Sequence, residues 1–135
     1  MVVIAIDHGR RRIGIATTGE HKVVVPVATV EERSLKLSVE AVAHCLAQQK
    51  ADLVIVGLPL NMDGTRGSQA LAAERFADEL RLTTGLTVEL FDERLTSFEA
   101  RERLRNLPDR RKRGPSPDAV AACVILESWL QNRKQ

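Results

Sequence analysis

The sequence predicts an α/β domain built on a five-stranded mixed sheet flanked by helices. Three observations carry this. Residues 2–30 hold three short apolar runs split by turn residues, the pattern of an antiparallel strand unit. The spacing then turns helical and alternates with two more strand-like runs, the sign of right-handed βαβ crossovers. The run Asp52-Leu53-Val54-Ile55-Val56-Gly57 does not alternate, which suits a central parallel strand buried on both faces.

In order, residues 2–7 and 13–17 form a hairpin, with Asp7 at its tip followed by Gly9 and three arginines. A turn at Gly19-Glu20-His21 leads to a third strand over 23–30, and Pro26 assigns it to an edge because proline cannot donate to a ladder. Leu35, Leu37, Val39, Val42, Ala43, Leu46 and Ala47 fit a helix over 34–49 capped by Ser34. A strand at 52–57 and a polar loop at 59–68 follow, then a helix over 70–83 that Gly85 ends. Residues 87–91 make the fifth strand. Thr96 or Ser97 caps a third helix running to Asn106, and residues 107–117 form a basic, proline-containing loop. The last helix spans 117–131, with Ser116 as N-cap and Pro117 at its first position.

A length of 135 residues predicts one domain over 1–135, with room for one core. Hydrophobic content of 44% and charge of 28% exclude a disordered chain. No apolar run approaches a membrane span and no secretory leader is visible, so the expected location is the cytoplasm and no membrane partner is expected. Cys45 and Cys123 lie far apart in apolar helical patterns and read as free thiols. A net charge of +2 does not argue for nucleic acid, but its distribution does. Positive charge clusters at Arg10, Arg11 and Arg12, and again at Arg110, Arg111, Lys112 and Arg113.

The chemistry concentrates on acids. Neighbouring parallel strands present their C-terminal ends along one sheet edge, where α/β sites usually sit. Asp7 ends the first strand, Asp92-Glu93-Arg94 ends the fifth, and Asp118 opens the last helix. If that helix packs beside the first strand, Asp7, Glu93 and Asp118 meet. Mg²⁺ or Mn²⁺ prefers such carboxylate oxygens, and two such ions can activate water and stabilise the leaving oxygen of a phosphodiester. Arginines around them would hold phosphates. The expected nucleic-acid contacts are Arg10, Arg11, Arg12, Asn61, Arg94, Arg110, Arg111, Lys112 and Arg113. Structural roles compete for the same residues. Asp118 can serve the helix dipole, Glu93 can pair with Arg94 or Arg101, and Asp7 with Arg10. Asp63-Gly64 is a turn signal that Asn61 can support, and the basic run can be a solvated loop. Trp129 reads as core, and three Phe, one Trp and no Tyr give no visible aromatic platform for single strands.

These motifs resemble the YqgF/RuvX family of pre-16S rRNA nucleases and Holliday junction resolvases over essentially the full length. Four blocks carry the resemblance: Ala5-Ile6-Asp7-His8-Gly9 with Ile13-Gly14-Ile15-Ala16; Val54-Ile55-Val56-Gly57-Leu58-Pro59-Leu60-Asn61-Met62-Asp63-Gly64; Asp92-Glu93-Arg94-Leu95-Thr96-Ser97; and Asp118-Ala119-Val120-Ala121-Ala122 running into Ile125-Leu126. The resemblance implies an RNase H-like fold with Asp7, Glu93 and Asp118 as the acidic metal-binding triad. It also implies that residues 57–64 and 93–97 border the active site. Two positions and one segment depart from the family pattern: His8 where an apolar residue is usual, Arg10 where a small one is common, and Gly114-Pro115-Ser116-Pro117 before Asp118.

The expected function is therefore a metal-dependent endonuclease of the two-metal type, a hydrolase processing precursor 16S ribosomal RNA. The alternatives are a Holliday junction resolvase acting on branched DNA and a non-catalytic RNA-binding assembly factor. An actin-like ATPase fragment is disfavoured because only one Asp-x-Gly hairpin is present. Monomer and homodimer both remain open.

Overall fold

A computed structural model describes residues 1–19, 23–105 and 117–133. Strands β1 (Val3–His8), β2 (Arg12–Thr18) and β3 (Val24–Glu31) come first. They lead into α1 (Leu35–Gln48), β4 (Leu53–Leu58), α2 (Ser68–Thr84) and β5 (Thr87–Asp92). A 3-10 turn, Glu93–Leu95, joins β5 to α3 (Phe98–Arg105), and α4 (Pro117–Arg133) closes the order. Each predicted element is present, with described ends within two residues of those expected. The basic run Arg110, Arg111, Lys112 and Arg113 lies outside the described residues, as do His21, Asn106 and the cap Ser116.

The sheet order is β3-β2-β1-β4-β5. β1 runs antiparallel to β2 and β2 to β3, while β1, β4 and β5 run parallel. Pro26 does sit on the edge strand. The ladder skips Val27 there, pairing Ile15 with Ala28 and Ala16 with Pro26. This bulge absorbs the missing proline donor. Ser34 caps α1 by accepting from the Leu37 amide, and Gly85 ends α2 in the left-handed conformation at φ 71°.

Strand alternation divides the core in two. Val3 and Ala5 of β1 join Leu53, Ile55 and Phe91 beneath α4, with Ala122, Ile125 and Trp129 above them. Ile4 and Ile6 face the other way, toward Val42 and Leu46 of α1 and Phe76 and Leu80 of α2. The whole of β4 is buried, as its unbroken apolar run predicts. Trp129 is core, Cys123 is buried and Cys45 half-buried, and both thiols are free. No helix among the described residues is long and apolar enough to cross a membrane.

The same alternation sends Asp7 and His8 to opposite faces. His8 is buried on the α1–α2 side, its ring 4.8 Å from that of Phe76. Its Nε2 lies 2.9 Å from Glu32 Oε2, just beyond the end of β3. The Glu32 carboxylate also accepts from Ser38 Oγ at 3.5 Å. Burial lowers the His8 pKa, and Glu32 opposes that shift. His8 is thus a structural clasp behind the strand ends, facing away from the acids. Replacing it with alanine removes ring packing and leaves a carboxylate without its partner. We expect His8→Ala to cost about 3 kcal/mol, read from urea unfolding.

Candidate functional site

The C-terminal ends of β1, β4 and β5 lie side by side, which places Asp7, Leu58 and Asp92 along one edge. Asp7 points to the α4 face, and two glycines stand next to it. Gly14 is its direct partner on β2, and Gly57 lies one residue beyond Val56, the β4 partner of Ile6. Neither glycine is there for its backbone freedom. A Cβ on Gly14 would stand 1.9 Å from the Asp118 carbonyl oxygen, so only glycine lets the first turn of α4 rest on the sheet beside Asp7. A Cβ on Gly57 would meet Glu93 Oε2 at 2.9 Å and Ile125 Cδ1 at 2.6 Å. The missing side chain is the space that the Glu93 carboxylate occupies. Gly14→Ala must therefore push α4 outward, and we expect a loss of about 3 kcal/mol, seen as a lowered melting temperature.

Glu93 opens the 3-10 turn after β5, which Asp92 caps by accepting from the Arg94 amide at 2.9 Å. The turn is held from behind. Thr96 Oγ1 donates to the Glu93 carbonyl at 2.9 Å, and the Ser97 amide donates to Ser128 Oγ of α4 at 2.8 Å. Ser97 also caps α3 through the Ala100 amide. The helix that carries Asp118 thus also fixes the segment that carries Glu93.

Charge at this edge is poorly compensated. Burial, reinforced by the charge of Asp118, pushes the Asp7 carboxyl up to about 6. Burial, then Asp7 and Asp92, push Glu93 up to about 7. Among the described residues neither carboxylate has a cation or a hydrogen-bond donor. The Asp7–Arg10 pair considered from sequence does not form; Arg12 instead lies 3.7 Å from Asp118. Glu93 does not pair with Arg94 either. The Arg94 guanidinium takes Asp92, with Nη2 at 2.8 Å and Nε at 3.1 Å from both oxygens. That bond pulls the Asp92 pKa down, so Glu93 keeps a charged neighbour.

The carboxylate oxygens of Asp7, Glu93 and Asp118 suit a divalent cation in donor chemistry. Among the described residues, no three acids, histidines or cysteines already stand close enough together to hold one.

A profile of the RuvX family, described as Holliday junction resolvase, matches residues 1–132. The chain belongs to the RuvX family. A relative from Anaeromyxobacter sp. (strain Fw109-5), named "Putative pre-16S rRNA nuclease", is 43% identical over 136 residues and covers 98% of each chain. Among solved structures, Thermus thermophilus RuvC matches 99% of this chain and 96% of its own with a TM-score of 0.69 at 14% identity. The fowlpox virus resolvase, solved with Holliday junction DNA, matches all of both chains with a TM-score of 0.64 at 13% identity. These likenesses show the fold, an RNase H-like one.

Around the acids of this RuvX chain, the expected phosphate contacts divide. Arg10 and Arg11 are exposed at the hairpin tip, and Arg12 is exposed but paired. Arg94 is committed to Asp92 and reaches the Met62 carbonyl at 3.4 Å, which ties the two loops that flank the site. Asn61 shapes its own loop: its amide group donates to Thr65 Oγ1 at 2.9 Å and its carbonyl accepts from the Gly64 amide at 2.8 Å. Asp63 accepts from the amide and hydroxyl of the same threonine. The roles of Gly14 and Gly57 were not drawn out from sequence, although a glycine inside a strand signals close approach. The exposed side chains of Met62, Leu95 and Phe98, on or beside these loops, were also missed.

Proposed function

We propose that this chain is a divalent-metal-dependent endonuclease that hydrolyses phosphodiester bonds in precursor 16S ribosomal RNA. One observation supports it above all. Asp7 and Glu93 have no cation partner among the described residues; Gly57 makes room for the Glu93 carboxylate, Gly14 lets α4 approach, and Asp118 of α4 adds to the repulsion on Asp7. A structural acid at a half-buried position is usually paired. Asp7, Glu93 and Asp118 are the groups to hold Mg²⁺ or Mn²⁺. Two such ions would supply a lowered water pKa and offset charge on the leaving oxygen. Arg10, Arg11 and Arg12 face the backbone of the substrate, while Arg94 keeps the Glu93 loop against the loop at 59–68. Arg110, Arg111, Lys112 and Arg113 belong to the same proposal, on charge alone.

The family's description and the relatives' names point to two substrates. Branched-DNA resolution is the second reading, and it requires two sites in a symmetric dimer. A side-by-side assay separates them: precursor rRNA, single strands and four-way junctions, with Mg²⁺ and Mn²⁺. Cleavage of the RNA by a monomer supports the first reading; paired nicks by a dimer support the second. Binding without turnover in either ion leaves only the assembly-factor reading.

A further inference from the structure

The chain has four aromatic residues, three Phe and one Trp. Phe76, Phe91 and Trp129 are buried at 0%, 6% and 6% exposure, whereas Phe98 is 72% exposed. It is the first residue of α3, five positions after Glu93 and so no farther than about 17 Å along the chain. The turn between them is folded back by Thr96 onto the Glu93 carbonyl, which shortens that reach. Leu95 on the same turn is 57% exposed, and Met62 on the facing loop is 88% exposed. The Arg94 contact to the Met62 carbonyl keeps the two loops together. Single exposed apolar residues, such as Leu82 on α2, need no explanation. Three on the segments that adjoin Glu93 (the loop at 59–68, the 3-10 turn and the start of α3) do, because water offers them nothing there.

Phosphate chemistry does not use them. The acids and arginines act on the backbone of a nucleic acid, whose other recognition surface is the flat face of a base. That face is closed off in a continuous duplex and open in an unpaired strand. Base stacking on an aromatic ring is strong and tolerant of sequence. We propose that Phe98, with Leu95 on the adjoining turn and Met62 on the loop that Arg94 holds to it, receives an unpaired nucleobase next to the bond to be cut. The substrate is then locally single-stranded at the cleavage point, in RNA or DNA. This rests on the nuclease reading, and it makes Phe98 a specificity-determining residue.

The test uses binding by the full chain carrying Asp7→Asn, so that cleavage is not the readout. Short single strands of RNA and DNA, and a blunt duplex of each, are titrated by fluorescence anisotropy. A 2-aminopurine probe in the single strands reports stacking. Adding Phe98→Ala should weaken single-strand binding about tenfold, equivalent to ~1.4 kcal/mol, and abolish the 2-aminopurine change. Duplex binding should move less than about twofold by the same arithmetic. Phe98→Trp should retain both signals, and Leu82→Ala should behave as the parent. Equal single-strand affinities of parent and Phe98→Ala would overturn the proposal, as would an equal loss on duplex. So would a parent that binds no strand. If the wild type cuts nothing in either ion yet these binding differences hold, the nuclease reading fails and the base contact stands.

Discussion

Replacing Asp7 with asparagine is expected to abolish divalent-ion-dependent cleavage and, in the absence of metal, to make the fold more stable. Both effects come from the same charge. The carboxyl is half-buried on the α4 face, near Asp118, and its pKa stands at about 6. Set against an unfolded value near 4, ionisation above neutrality costs the folded state up to about 3 kcal/mol. Asparagine keeps the shape and removes the charge, so the metal-free variant should melt several degrees higher at neutral pH. Metal-ion catalysis commonly supplies several kcal/mol of charge stabilisation, so losing a ligand should lower the cleavage rate about 10³-fold or more. An inactive variant that also melts lower than wild type in EDTA would mean that Asp7 is structural. An active one would sink the assignment of the triad. Only the combination of higher melting temperature and lost cleavage fits an acid kept charged for a metal.

Most of the fold was legible because strand and helix spacing are local properties. The unalternating run at 53–58 identified the central strand, and Pro26 identified the edge. Asp7, Glu93 and Asp118 were legible as candidates because each ends or begins an element at a known sheet edge. What positions the elements that carry them was not legible. Nothing in the spacing says that Gly14 lets α4 touch the sheet, since the approach joins residues far apart in the chain. The partners of the charges were equally hidden. Arg94 prefers Asp92 to Glu93, and Arg12 reaches Asp118, because loop geometry rather than adjacency sets the distances. His8 directly follows Asp7, yet one residue along a strand is the other side of the sheet. Phe98 was absorbed into a helical pattern that does not reveal which face is wet.

The second large effect is a stability that metal reverses with pH. Asp7 and Glu93 have folded pKa values of about 6 and about 7, both above their ordinary values. Between the unfolded and folded values the folded chain binds more protons than the unfolded one. Metal-free stability must therefore fall as pH rises through roughly 4 to 7, and stay low above that window. His8 acts in the opposite sense, because burial lowers its pKa and raising the pH favours its neutral, folded form. The difference in melting temperature with and without Mg²⁺ or Mn²⁺ removes the His8 contribution, which is common to both measurements. That difference should be near zero at about pH 5, where protonated carboxyls bind no metal, and large at about pH 8. At the higher pH the ion compensates the two carboxylates whose burial, with repulsion second, raised their pKa values. The Asp7→Asn, Glu93→Gln double variant should lose the metal response at every pH. A response of equal size at both pH values, or one that survives the double variant, would place the ion elsewhere on the molecule.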